Sequence, residues 1–127
     1  MDPFEAGIVS SEGLHGVMDR RVAQKLSRGI NGQRRSFFYN PMWKPMGDTS
    51  SGSPGTFYRR SGSYVHYFWH TFDQVLVRPS LLAAFREEEL RVVNSVGTHS
   101  LLKSSGPGIS PRISDHLPIL FKLNTLP

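Results

Sequence analysis

The chain has 127 residues, 38% of them hydrophobic, no cysteine, a formal charge of +5 and an isoelectric point near 10.0. This is ordinary for one globular domain, and it excludes a disulfide framework, a thiolate nucleophile and a zinc centre built on sulfur, so any metal must be held by oxygen or imidazole. A net positive charge would help the chain approach a polyanion, but the paired arginines Arg20-Arg21, Arg34-Arg35 and Arg59-Arg60 never extend to a run of five, so a solvated surface is the favoured reading and charge alone names no ligand.

At the start, Met1-Asp2-Pro3-Phe4-Glu5 has neither the basic head nor the apolar run of a signal peptide, and no segment approaches the roughly 20 apolar residues that cross a bilayer. A soluble, cytoplasmic chain without membrane association is expected. Apolar positions at Leu14, Val17, Val22, Ala23 and Leu26 predict helix between Gly13 and Arg28, as one helix or two short ones, stopped by Gly29 and Asn31-Gly32. Ser36 to Trp43 reads as a short aromatic strand running into a proline turn. Residues 46–55 are rich in glycine, serine and proline and read as a flexible loop.

Thr56-Phe57-Tyr58 and Tyr64 to Trp69 are expected strands around a Ser61-Gly62-Ser63 turn, followed by a stronger strand from Thr71 to Val77. Arg78-Pro79-Ser80 then opens a predicted helix that runs to about Glu89, with Glu87-Glu88-Glu89 as its solvated end, and Leu90 to Val96 is another strand. A second flexible loop spans 104–112. The near-continuous apolar run Leu117 to Leu123 suits a strand buried on both faces. Strands alternating with helices predict an α/β or α+β class, with one domain over 1–127.

Chemistry concentrates at two places. In Ser114-Asp115-His116-Leu117-Pro118-Ile119 an aspartate and a histidine stand between a Gly/Pro loop and an apolar strand, where a loop can aim side chains into a cleft while the strand fixes them; an ordinary turn residue beside a structural histidine fits the same pattern. In Phe72-Asp73-Gln74-Val75-Leu76-Val77 one acidic residue interrupts an apolar run. Burying that carboxylate is costly without a partner, and an imidazole N–H is the natural one, because the carboxylate then fixes the ring's tautomer. Asp73 is therefore expected within hydrogen-bond reach of His116.

Taken together, Phe72-Asp73-Gln74-Val75-Leu76-Val77-Arg78-Pro79-Ser80-Leu81 and the S-D-H-x-P-[IV] pattern at Ser114 to Ile119 resemble the end of the endonuclease/exonuclease/phosphatase domain, the DNase I-like superfamily. The segment Phe37-Phe38-Tyr39-Asn40-Pro41-Met42-Trp43, with Gly55-Thr56-Phe57-Tyr58 and Phe68-Trp69, is similar to a bacterial branch of it, so the resemblance runs from about Asp2 to Leu123. It implies the C-terminal portion of a four-layer α/β sandwich, one mixed sheet with flanking helices. It also implies a magnesium-dependent hydrolase, a nuclease or a phosphatase, acting on a phosphodiester or phosphomonoester. In that role His116 contacts the scissile phosphate or the attacking water, Asp73 orients His116, and Asp115 lies at the metal site or assists the nucleophile.

The family's upstream asparagine, metal-binding glutamate and G-D-F-N motif have no counterpart in the chain. On the resemblance, the N-terminal half of the domain is expected to be absent and the chain inactive alone, without tight magnesium binding and homo-oligomeric through its exposed sheet. The alternative is a non-catalytic module in which basic and aromatic residues bind nucleic acid or a protein partner and the S-D-H motif is a relic. His66 and His70 have the spacing of a helical metal pair, but their segment reads as strand and loop; His15 and His99 read as surface or structural residues.

Overall fold

The computed structural model describes residues 1–47, 52–60 and 68–125. The expected Ser61-Gly62-Ser63 turn, the part of the predicted strand at 64–67 and the centre of the first loop at 48–51 lie outside the described residues.

Helix is scarce. Between Gly13 and Arg28, where helix is predicted, the chain forms a short strand β1 (Gly16–Val17) and a single helical turn α2 (Arg20–Ala23), after an equally short α1 (Ala6–Val9). Local backbone chemistry explains the interruption. His15 and Leu26 take the left-handed conformation, at φ 52° and 73°, which no helix tolerates, while Asp19 accepts from Arg21 N at 2.8 Å and so starts the helix only at residue 20. The Arg21 hydrogen bonds hold the Asp19 carboxyl below its ordinary range. Asn31-Gly32 ends no helix but turns a hairpin between β2 (Ser27–Ile30) and β3 (Gln33–Ser36), both residues taking positive φ as a primed two-residue turn requires.

The aromatic segment forms β4 (Phe38–Tyr39), which pairs in parallel with β1, and then a 3-10 turn at Pro41–Trp43 capped by Asn40. Next, β5 (Phe57–Tyr58) pairs antiparallel with β6 (Trp69–His70). The predicted strand at Thr71 to Val77 has no ladder among the described residues and only one bridge, Val77 to Tyr39.

The predicted helix through Glu89 is replaced by a 3-10 turn at Pro79–Leu81 and the long strand β7 (Phe85–Val92). Pairing with the terminal strand β10 (Ile119–Leu123) overrides the helix propensity of the glutamate triplet. An irregularity between Leu120 and Lys122 shifts the register, so Phe85 and Glu87 face inward on one side of it and Leu90 and Val92 on the other. A small hairpin, β8 (Ser95–Val96) with β9 (His99–Ser100), lies between the two. The final strand is not buried on both faces: Leu117 is buried, whereas Leu120 and Phe121 on β10 are 45% and 41% exposed, because β7 is its one ladder partner among the described residues.

Helix and strand are thus both present, with the described strands paired in twos, four pairs antiparallel and one parallel. Two apolar clusters hold them. Ala23, Tyr39, Val77, Leu82 and Phe85 form one; Leu101, Ile109 and Leu117 form the other, flanked by Tyr58, Trp69 and Val92. Each of the buried leucine, isoleucine, valine and phenylalanine side chains contributes roughly 1.5–3 kcal/mol. In the first cluster the Tyr39 hydroxyl donates to the Glu87 carboxylate, and burial, reinforced by that carboxylate, pushes the phenol far above its ordinary range. No helix among the described residues is long and apolar enough to cross a membrane.

Candidate active site

Thr56 organises the site. Fully buried, it donates its N–H to His70 O at 2.8 Å, accepts at its own carbonyl from Leu117 N at 2.8 Å, and accepts at Oγ1 from Asp73 N at 3.1 Å. This one residue, just before β5, therefore ties together β6, the Asp73 segment and the chain leading into β10. Gly55 makes this closeness possible, since a Cβ there would stand 2.6 Å from His70 O.

His116 sits where these segments meet. Its backbone bridges Phe57, its N–H donates to Ser114 Oγ at 3.1 Å, and Leu117 behind it anchors the second apolar cluster at 1% exposure. Its ring lies 4.8 Å from the Phe57 ring. The Nδ1 atom stands 2.6 Å from Asp73 Oδ2, so the two residues expected to meet do meet across 43 positions of sequence. An ionised carboxylate only accepts, so Nδ1 carries the proton and donates it to Asp73, leaving the Nε2 lone pair for another partner. With side chains 38% and 39% exposed, the pair is open to solvent on one side. A histidine held this way can accept a proton or hydrogen-bond an incoming oxygen.

Asp115 is exposed and makes no hydrogen bond or ion pair with a described residue. Among the described residues no group of three or more histidine, aspartate or glutamate side chains converges to hold a metal ion. His66 lies outside the described residues. His15 and His99 separate: His15 is buried and bonded to Ser36 O, whereas His99 is exposed.

A second Asp–His pair escaped the sequence reading. Asp2 is 3% exposed and places Oδ2 2.7 Å from His70 Nδ1 and Oδ1 2.6 Å from Thr71 N. The two histidines belong to one aromatic stack, in which His70 lies 4.7 Å from Phe72, Phe72 lies 5.3 Å from Phe57, and Phe57 meets His116. Asp2 thus anchors from the interior the element whose neighbour carries Asp73. Nothing in the sequence signals it, because a hydrogen bond spanning 68 positions follows no periodicity. Nothing in the sequence marks Thr56 as the hub either, since it reads only as the first residue of an expected strand. In comparisons with protein-family models, curated proteins and solved structures, nothing matches the chain.

Proposed function

We propose that this chain is the C-terminal part of an endonuclease/exonuclease/phosphatase domain and that His116, oriented by Asp73, serves hydrolysis of a phosphoester, a nucleic acid or a smaller phosphate ester. The observation that carries this reading is the 2.6 Å contact between Asp73 and His116, because it joins the two motifs on which the resemblance rests. Asp73 keeps the proton on Nδ1, and Nε2 is then available to the scissile phosphate or to the water that attacks phosphorus. The complete domain is proposed to be a four-layer DNase I-like sandwich that uses magnesium. Of the family's cation ligands this chain supplies at most Asp115, which by itself does not make a magnesium site.

The test is hydrolysis of bis-p-nitrophenyl phosphate by protein made from the coding sequence extended in frame upstream of Met1, with and without magnesium. Metal-dependent turnover is expected, lowered about a hundredfold or more by His116→Gln and by Asp73→Asn. Turnover indifferent to both substitutions would overturn the reading. A second reading, binding of single-stranded nucleic acid without catalysis, is favoured by the stacked Tyr58–Phe68 pair at 5.9 Å and by Arg59 over Phe57. Salt-sensitive binding without metal, unaccompanied by any hydrolysis, would support it.

A further inference from the structure

A cavity of about 320 Å³ opens beside the β2–β3 hairpin and shares no residue with the Asp73–His116 pair. Its volume lies at the lower end of the range that holds small ligands, roughly 300–1,000 Å³. Val17, Val22 and Phe37 line it with apolar surface, while Lys25 and Arg28 line it with hydrogen-bond donors. Among the described residues no carboxylate lines it.

The arrangement of Arg28 is the telling feature. Its Nε donates to His15 Nε2 at 3.1 Å, and His15, 3% exposed, uses its other nitrogen on Ser36 O at 3.1 Å. The carbonyl only accepts, so the proton is on Nδ1 and the imidazole is a neutral acceptor. A buried neutral ring therefore orients the guanidinium without cancelling its charge. The terminal Arg28 nitrogens and the Lys25 ammonium find no acceptor among the described residues. The acidic side chains on the neighbouring segments are engaged elsewhere, Glu12 by Arg35 at 2.8 Å and Asp19 by Arg21 at 3.2 Å. Two exposed, uncompensated cations thus border one cavity whose remaining wall is largely apolar.

We propose that this cavity binds a small organic anion, with a phosphate or carboxylate head at Arg28 and Lys25 and an apolar body against Val17, Val22 and Phe37. A planar guanidinium held from behind suits a tetrahedral or planar oxyanion through two N–H bonds, with the ammonium as a second point charge. The proposal does not depend on the hydrolase reading.

Titration calorimetry of the chain with phenyl phosphate, benzoate and uncharged benzyl alcohol tests it, using Arg28→Gln, Lys25→Gln and, as a cation elsewhere, Arg112→Gln. At least one anion is expected to bind saturably at one site, at least about tenfold tighter than benzyl alcohol. Arg28→Gln is expected to weaken it about tenfold or more, as loss of a charge-assisted bond implies, with Arg112→Gln unchanged. Tighter binding of phenyl phosphate assigns a phosphate head, and the reverse a carboxylate. If Arg28→Gln fails to fold without its bond to His15, Lys25→Gln, which breaks no contact, decides by a severalfold loss. Absence of saturable anion binding overturns the proposal, as does equal binding of benzyl alcohol or an equal loss in Arg112→Gln.

Discussion

The two Asp–His pairs have the same chemistry and opposite settings, which makes truncating each aspartate to alanine a sharp comparison. Asp2→Ala removes two charge-assisted bonds, to His70 and to Thr71 N, between side chains that are 4% and 6% exposed, and leaves a donor on each partner unsatisfied in the interior. Hydrogen bonds to a charged acceptor contribute about 1.5–3 kcal/mol each, so losing two in the interior costs about 3–5 kcal/mol. Asp73→Ala removes one bond between side chains that are 38% and 39% exposed, where water replaces the lost partner and the screened pair contributes about 1 kcal/mol at most. With total stability of about 5–15 kcal/mol, the first change is severe and the second mild. In urea, with a slope of about 1.5 kcal/mol per molar, the midpoint should fall by about 2–3 M for Asp2→Ala and by less than about 0.7 M for Asp73→Ala, followed by circular dichroism. Equal shifts, or a larger one for Asp73→Ala, would refute the division of a structural pair inside and a chemical pair at the surface.

Three further outcomes follow from the same structure. Gly55→Ala should cost about 2 kcal/mol or more, since its Cβ meets His70 backbone at 2.6–3.1 Å, whereas Gly32→Ala, with open space around it but φ at +75°, should cost about 1 kcal/mol; thermal unfolding compares them. The Tyr39 phenol is pushed up from 10.0 in the folded state, so above about pH 10 the unfolded chain releases a proton that the folded chain keeps. Its stabilising contribution is complete below that pH and is lost as pH rises toward the raised value, and Tyr39→Phe should show a correspondingly shallower alkaline decline in urea midpoint. Light scattering at micromolar concentration should give a mass above 14.3 kDa, reduced by Phe121→Glu, because β10 presents Leu120 and Phe121 to solvent; a strict monomer would remove the basis for the half-domain proposal.

Some of this was legible in the sequence for reasons that are local. Asn31-Gly32 announces a turn because few residues take positive φ cheaply, although here it turns a hairpin and ends no helix. Asp73 stood out as a charge in an apolar run and its pairing with His116 is found, although the carboxylate is half-exposed and in no strand ladder among the described residues, so the burial that made a partner necessary is not what holds the pair. Both inferences rest on rules that hold residue by residue. Other features depended on which segments meet. Residues 85–92 carry helix formers yet form a strand, because Ile119–Leu123 offers a ladder that outweighs a propensity of a few tenths of a kcal/mol per residue. Thr71 to Val77 has the composition of a strand, yet among the described residues it gains one bridge, to Tyr39. Asp2 with His70, Thr56 as the hub beneath His116, and Arg28 held by buried His15 each join residues 13 to 68 positions apart or serve several segments at once. Only the folded chain sets such contacts, since backbone direction and burial, and not the identity of adjacent residues, decide which donor reaches which acceptor.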